Sequence, residues 1–87
     1  MNAIAEFNSI ATDTALYAFL KKYSFVEDTS PTPSNILGVY NGYLDGAAAK
    51  ITHRWYDPSG PFQNEPDIHK ALLEVADHGR HEVAYEG

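Results

Sequence analysis

The stretch 38-GVYNGYLDGAAAKI-51 can be read in two ways, and the fold turns on the choice. As a helix begun at Ser34, it aligns Ile36, Tyr40, Leu44, Ala47, Ala48, Ile51 and Trp55 on one stripe. Gly38, Gly42 and Gly46 then recur on that stripe at four-residue spacing. Each glycine in a helix interior costs roughly 1 kcal/mol relative to alanine, and Val39, Asn41 and two tyrosines add poor helix formers. As a hairpin, Asp45-Gly46 supplies the two residues that a type I′ turn needs at positive φ. Leu44 then pairs with Ala47, Tyr40 with Ile51 and Ile36 with Trp55. One face collects Ile36, Tyr40, Leu44, Ala47, Ala49, Ile51, His53 and Trp55; the other shows Leu37, Val39, Asn41, Tyr43, Ala48, Lys50, Thr52 and Arg54. A competing turn at Asn41-Gly42 pairs Tyr40 with Tyr43 and gains nothing from Ala47-Ala48-Ala49. The hairpin is the better reading, because its first face is a core.

Upstream, Leu16, Phe19, Leu20 and Tyr23 stand at i, i+3, i+4 and i+7, with Thr12 or Asp13 as N-cap and Lys21 and Lys22 at the end favoured by the macrodipole. Residues 12–24 are read as an amphipathic helix. Ile4, Phe7 and Ile10 are compatible with a short helix or an arm laid on the core. Downstream, Ile68, Ala71, Leu72 and Val75 repeat the helical spacing, with Pro66 suited to the first turn and Gly79 to C′. Residues 65–78 are therefore expected to be a helix. The tail 80-RHEVAYEG-87 alternates His81, Val83 and Tyr85 against Arg80, Glu82 and Ala84, the period of a half-buried strand.

The expected fold is α+β: helix, β-hairpin, helix, strand, with helices on one face of a small antiparallel sheet and an all-α four-helix domain as the alternative. Eighty-seven residues make one domain, 1–87, with linker-like loops at 26–34 and 57–66. The open side of the hairpin would leave Leu37, Val39 and Tyr43 exposed, a place for a second copy of the chain to bind unless the N-terminal arm covers it.

A 44% hydrophobic fraction with six Tyr, four Phe and one Trp belongs to a folded chain. The absence of cysteine excludes disulfides and thiolate metal sites and fits a reducing compartment. No apolar run approaches a membrane span, and the N-terminal segment has no basic leader, so a soluble cytoplasmic protein is expected. Twelve acidic residues against six basic ones give a net charge of −6, which repels nucleic-acid phosphate and anionic membranes.

Motifs for catalysis are missing. There is no cysteine nucleophile, no G-x-S-x-G elbow, and the glycines of G-x-x-x-G-x-x-x-G lack the Lys-Ser/Thr of a phosphate loop. Paired acids such as Glu65 with Asp67 or Glu27 with Asp28 have plain uses at a helix start or in a linker. His53, His69, His78 and His81 prompt a metal reading, above all in 77-DHGRH-81, but no four-ligand spacing emerges. No enzyme, cofactor or metal is expected from these patterns. The cluster 53-HRWYD-57 has too little basic charge to stack on nucleotides, yet Trp, Tyr and Arg are what protein interfaces concentrate.

The segments 55-WYDP-58 and 66-PDIHKALLEVADHG-79 resemble the immunity proteins of nuclease bacteriocins: paired aromatics before a proline, an acidic loop, a final amphipathic helix. The resemblance covers about a third of the chain. It departs from that family where a second helix rich in acids is replaced by the glycine-rich stretch with Asp45 alone. As a class, a cysteine-free, acidic, aromatic small protein without catalytic motifs resembles the inhibitors encoded by phages and plasmids, including anti-CRISPR and anti-restriction proteins. Such inhibitors dock on basic nucleic-acid enzymes. The expected partner face is Glu27, Asp28, Asp45, Asp57, Glu65 and Asp67 beside Tyr43, Trp55 and Tyr56. A homodimeric accessory subunit pairing through Leu37, Val39 and Tyr43 and a toxin immunity protein are the alternatives.

Overall fold

The structure is a computed structural model, and it describes residues 2–55 and 67–87. Two helices, α1 (Asn2–Asn8) and α2 (Asp13–Lys22), precede five strands: β1 (Val26–Glu27), β2 (Ile36–Leu44), β3 (Ala47–Arg54), β4 (Ile68–Val75) and β5 (Gly79–Glu86). The strands form one antiparallel sheet whose spatial order is the chain order, β1 to β5. The α+β class with helices on an antiparallel sheet is as the sequence implies.

The opening stretch is a hairpin. Asp45 and Gly46 have φ of 50° and 81°, the positive pair of the type I′ turn, and Leu44 pairs with Ala47 and Tyr40 with Ile51. The two glycines at 38 and 42 have a use that helix propensity does not reveal. Four-residue spacing is even, so both land on the core side of β2. There a β-carbon on Gly42 would stand 2.9 Å from the ring of Phe25, and one on Gly38 would meet the ring of Tyr40. The glycines are seats for aromatic rings. At the far end the register slips between Ile36 and Gly38: Ile36 faces Arg54, not Trp55, because Leu37 is an extra residue in the ladder. Trp55 is not in the core as its hairpin position implied. It lies just beyond β3, 36% exposed, its indole N–H directed at the Ser34 carbonyl 3.4 Å away.

The expected helix over 65–78 is instead β4, the strand between β3 and β5. Its sequence carries apolar residues on both sides. Ala71, Leu73 and Val75 alternate into the core, while Ile68 and Leu72 lie on the other face and complete a false helical stripe. Pairing decides the matter, since β4 satisfies the ladder of β3 and of β5 together, which a helix here would leave open. Gly79 does adopt positive φ, at 79°, but to turn the β4–β5 hairpin with Asp77 at 64° and not to cap a helix. Within the 26–34 linker, Val26 and Glu27 pair with Asn41 and Tyr40 as a short edge strand, and the Asp28 N–H donates to the Val39 carbonyl.

Thr12 caps α2 by accepting the Ala15 N–H at 3.0 Å, with Asp13 in the first turn and Lys21 and Lys22 in the last. Leu16, Phe19 and Leu20 of α2 and Ala3, Phe7 and Ile10 of the N-terminal arm meet Leu44, Ile51, Ala71, Leu73, Val75 and Tyr85 in one core. The arm therefore covers the inner face of the sheet and leaves the outer one. No described helix is long and apolar enough to cross a membrane.

Candidate functional site

Alternation in three neighbouring strands sends His53, His69 and Tyr85 to the inner face beneath the start of α2, where Asp13 enters from the helix. The Tyr85 hydroxyl donates to Asp13 Oδ1 at 2.8 Å. His69 Nδ1 lies 3.0 Å from the same oxygen, His53 Nε2 lies 3.2 Å from it, and the two imidazole nitrogens are 3.3 Å apart. His53 is fully buried and the Tyr17 ring packs edge-on against it. Its other nitrogen, Nδ1, is buried with no hydrogen-bond partner among the described residues.

Burial lowers the pKa of His53 against the pull of Asp13, so the ring is neutral at physiological pH and keeps a lone pair. Burial acts on Asp13 in the opposite sense, but the hydrogen bonds from Tyr85 and His69 and the nearby imidazoles outweigh it and hold the carboxyl below its usual value. Burial and the bond to Asp13 raise the Tyr85 phenol far above its ordinary value, so it stays a donor. Carboxylate, two imidazoles and phenol converge on one point that sequence spacing could not bring together. The signal lay in the inward alternation of His53 and Tyr85; His69 was hidden by the helical reading of 65–78, and Asp13 by its role at a helix start. His78 and His81, the pair in 77-DHGRH-81, point elsewhere: His81 Nε2 bonds the His78 carbonyl at 2.9 Å.

The residues expected to form a partner face are divided by the fold. Asp45 sits in the β2–β3 turn and Asp67 at the opposite end of the sheet, its carbonyl accepting the Gly87 N–H. Glu27 and Asp28 line the β1 edge; Asp28 accepts the Ser30 N–H, which with Lys50 nearby lowers its pKa. Asp57, Glu65 and Tyr56 lie outside the described residues. One acid the sequence reading did not include joins the group: the Ala76 N–H donates to the Ala48 carbonyl, so the turn carrying Asp77 stands beside that of Asp45. On the outer side of the same corner, Tyr43 is 69% and Val26 68% exposed, with Asn41 opposite Val26, Val39 half-buried on the far side of Asn41 from Tyr43, and Leu37 exposed at the bulge. Farther across the outer face, charge is matched internally, with Glu82 near Arg54 and Lys70 and Glu74 near Arg80.

A groove of about 290 Å³ runs between α1 and α2, lined by Glu6, Ile10, Ala18, Phe19 and Lys22. Its one carboxylate, Glu6, is occupied by Lys22 and the Tyr23 hydroxyl. Comparison of the chain with protein-family models, with curated proteins and with solved structures gives no match.

Proposed function

We propose that the protein is a non-catalytic binding module that docks its acidic β1–β2 corner on a basic protein surface, as an inhibitor of the phage or plasmid type does. The observation that carries this reading is the gathering of exposed apolar side chains with acids that form no salt bridge among the described residues, Lys50 being near Asp28 without closing one. Tyr43 and Val26 stand in solvent on the outer face, with Asp28 just past β1, Asp45 and Asp77 in the two adjacent turns, and Glu27 at the same edge but paired with Tyr40 on the helix-covered side. An exposed aromatic anchor with acids outnumbering the one neighbouring base, Lys50, has the anatomy of a protein-docking site, and the excess negative charge speeds encounter with a basic partner. Nucleic-acid-processing enzymes present such surfaces to phosphate, and the net charge of −6 would let this chain occupy one in its place. An immunity protein against a nuclease toxin is one member of this class, and a cysteine-free chain suits cytoplasmic work.

The test is affinity capture from a native-host lysate after nuclease treatment, run in parallel with wild type and a Glu27→Lys/Asp28→Lys/Asp45→Lys chain. A nucleic-acid-processing protein held by wild type and lost by the variant is the expected result. Equal retention by both chains, or bait alone, would overturn the proposal. Bait alone at twice its mass would favour a second reading, self-association through Leu37, Val39 and Tyr43, which the exposure of Tyr43 and Leu37 also supports.

A further inference from the structure

We propose that Asp13, His53 and His69 bind one divalent transition-metal ion, with zinc the best match, at a site that fastens α2 to the centre of the sheet. It lies on the helix-covered face and does not depend on the docking corner.

Three donor atoms, Asp13 Oδ1, His53 Nε2 and His69 Nδ1, form a triangle with sides of 3.0, 3.2 and 3.3 Å. Zinc sits about 2.0–2.2 Å from imidazole nitrogen and carboxylate oxygen, which places two ligands of a tetrahedral ion about 3.3–3.5 Å apart. An ion about 1 Å out of the plane of the triangle therefore reaches all three after shifts of a few tenths of an ångström. Two imidazoles and one carboxylate select a borderline metal over magnesium or calcium, which prefer oxygen.

Protons alone serve the triangle poorly. A proton on each facing nitrogen directs two N–H groups 3.3 Å apart, together with the Tyr85 hydroxyl, at the single oxygen Asp13 Oδ1. One proton on His69 Nδ1 serves Asp13 Oδ1 at 3.0 Å but leaves the lone pair of an unprotonated His53 Nε2 facing the same oxygen at 3.2 Å. A cation accepts the lone pairs of all three atoms at once. Tyr85 then acts on the carboxylate from outside the ligand set, donating to Oδ1 and orienting it. His53 Nδ1 has no described partner whichever state the site adopts, so it does not distinguish them.

The full chain, stripped with a chelator, is titrated with Zn²⁺ by calorimetry and with Co²⁺ by visible absorption. The expected result is one ion per chain, the intense bands of tetrahedral or five-coordinate Co²⁺, and a melting temperature raised on the order of 10 °C at a hundredfold excess over Kd. Asp13→Asn keeps an oxygen for Tyr85 and so keeps the fold, checked by circular dichroism. It should weaken binding at least about tenfold, the loss that even supporting residues around a metal site produce. His69→Gln should do the same, while a His78→Ala/His81→Ala chain binds as wild type. No binding, binding unmoved by Asp13→Asn, or binding lost with His78 and His81 would each overturn the proposal; in the first case the cluster is a hydrogen-bonded carboxylate.

Discussion

Gly42 separates what a residue type says from what its position needs. Its backbone conformation is open to any residue, unlike that of Gly46 at φ 81°, so the requirement is space: the Phe25 ring occupies the place of a side chain. Gly42→Ala should cost about 1–3 kcal/mol, the range for forcing an extra methyl into packed surroundings. Urea denaturation reads this directly, and a loss below a few tenths would mean that the ring moves aside freely. Sequence alone identified the turn at Asp45-Gly46 because positive φ is a local demand. It could not identify the seats at Gly38 and Gly42, since the ring over Gly42 comes from the distant Phe25 and the ring over Gly38 is Tyr40 folded back along its own strand, neither of which a residue pattern states.

Between elements the same division recurs. The caps and spacing of α2 are local, and Thr12, Leu16, Phe19 and Leu20 were legible in the sequence. β4 was not, because its apolar residues satisfy a helical and a strand period together and only its two neighbours decide between them. The misreading of β4 removed His69 from its place beside His53, and with it went the cluster around Asp13. The docking of α1 rests partly on Glu6, which accepts from the Tyr23 hydroxyl at 2.5 Å and from Lys22 at 3.0 Å. The Tyr23 bond first, then Lys22, lowers the Glu6 pKa in the folded protein. A carboxyl lowered by folding adds stability that is complete above its unfolded value of about 4.3 and lost as pH falls through the folded value. Wild type should therefore lose stability below about pH 4.5 more steeply than Glu6→Gln. Parallel curves of urea midpoint against pH for the two chains would show that Glu6 does not contribute.

For the whole molecule, one core must hold two helices to five strands. An 87-residue domain has a total stability of only about 5–10 kcal/mol. Leu73 is fully buried in β4 and belongs to the core that contains Phe7, Leu16 and Ile51. Leu73→Ala should cost about 2–5 kcal/mol, a large share of that total, with the urea midpoint shifted and the slope unchanged. A loss under 1 kcal/mol would mean that the core collapses around the gap. The open outer face adds little to this balance, so its Tyr43 and Val26 are free to be set by what the protein touches.

Asp13 and Tyr85 bond across a separation of 72 residues, and His53 and His69 belong to strands that lie between them in the chain. Along the chain the carboxylate comes first and its partners follow one strand at a time, and the set lacks its phenol unless the fifth strand is paired. A sheet stalled at three or four strands leaves the acid short of its companions. The cluster is complete only when α2 and strands β3, β4 and β5 are all in place, so it works as a latch tying the earliest part of the chain to the latest and distinguishes a finished molecule from a half-built one.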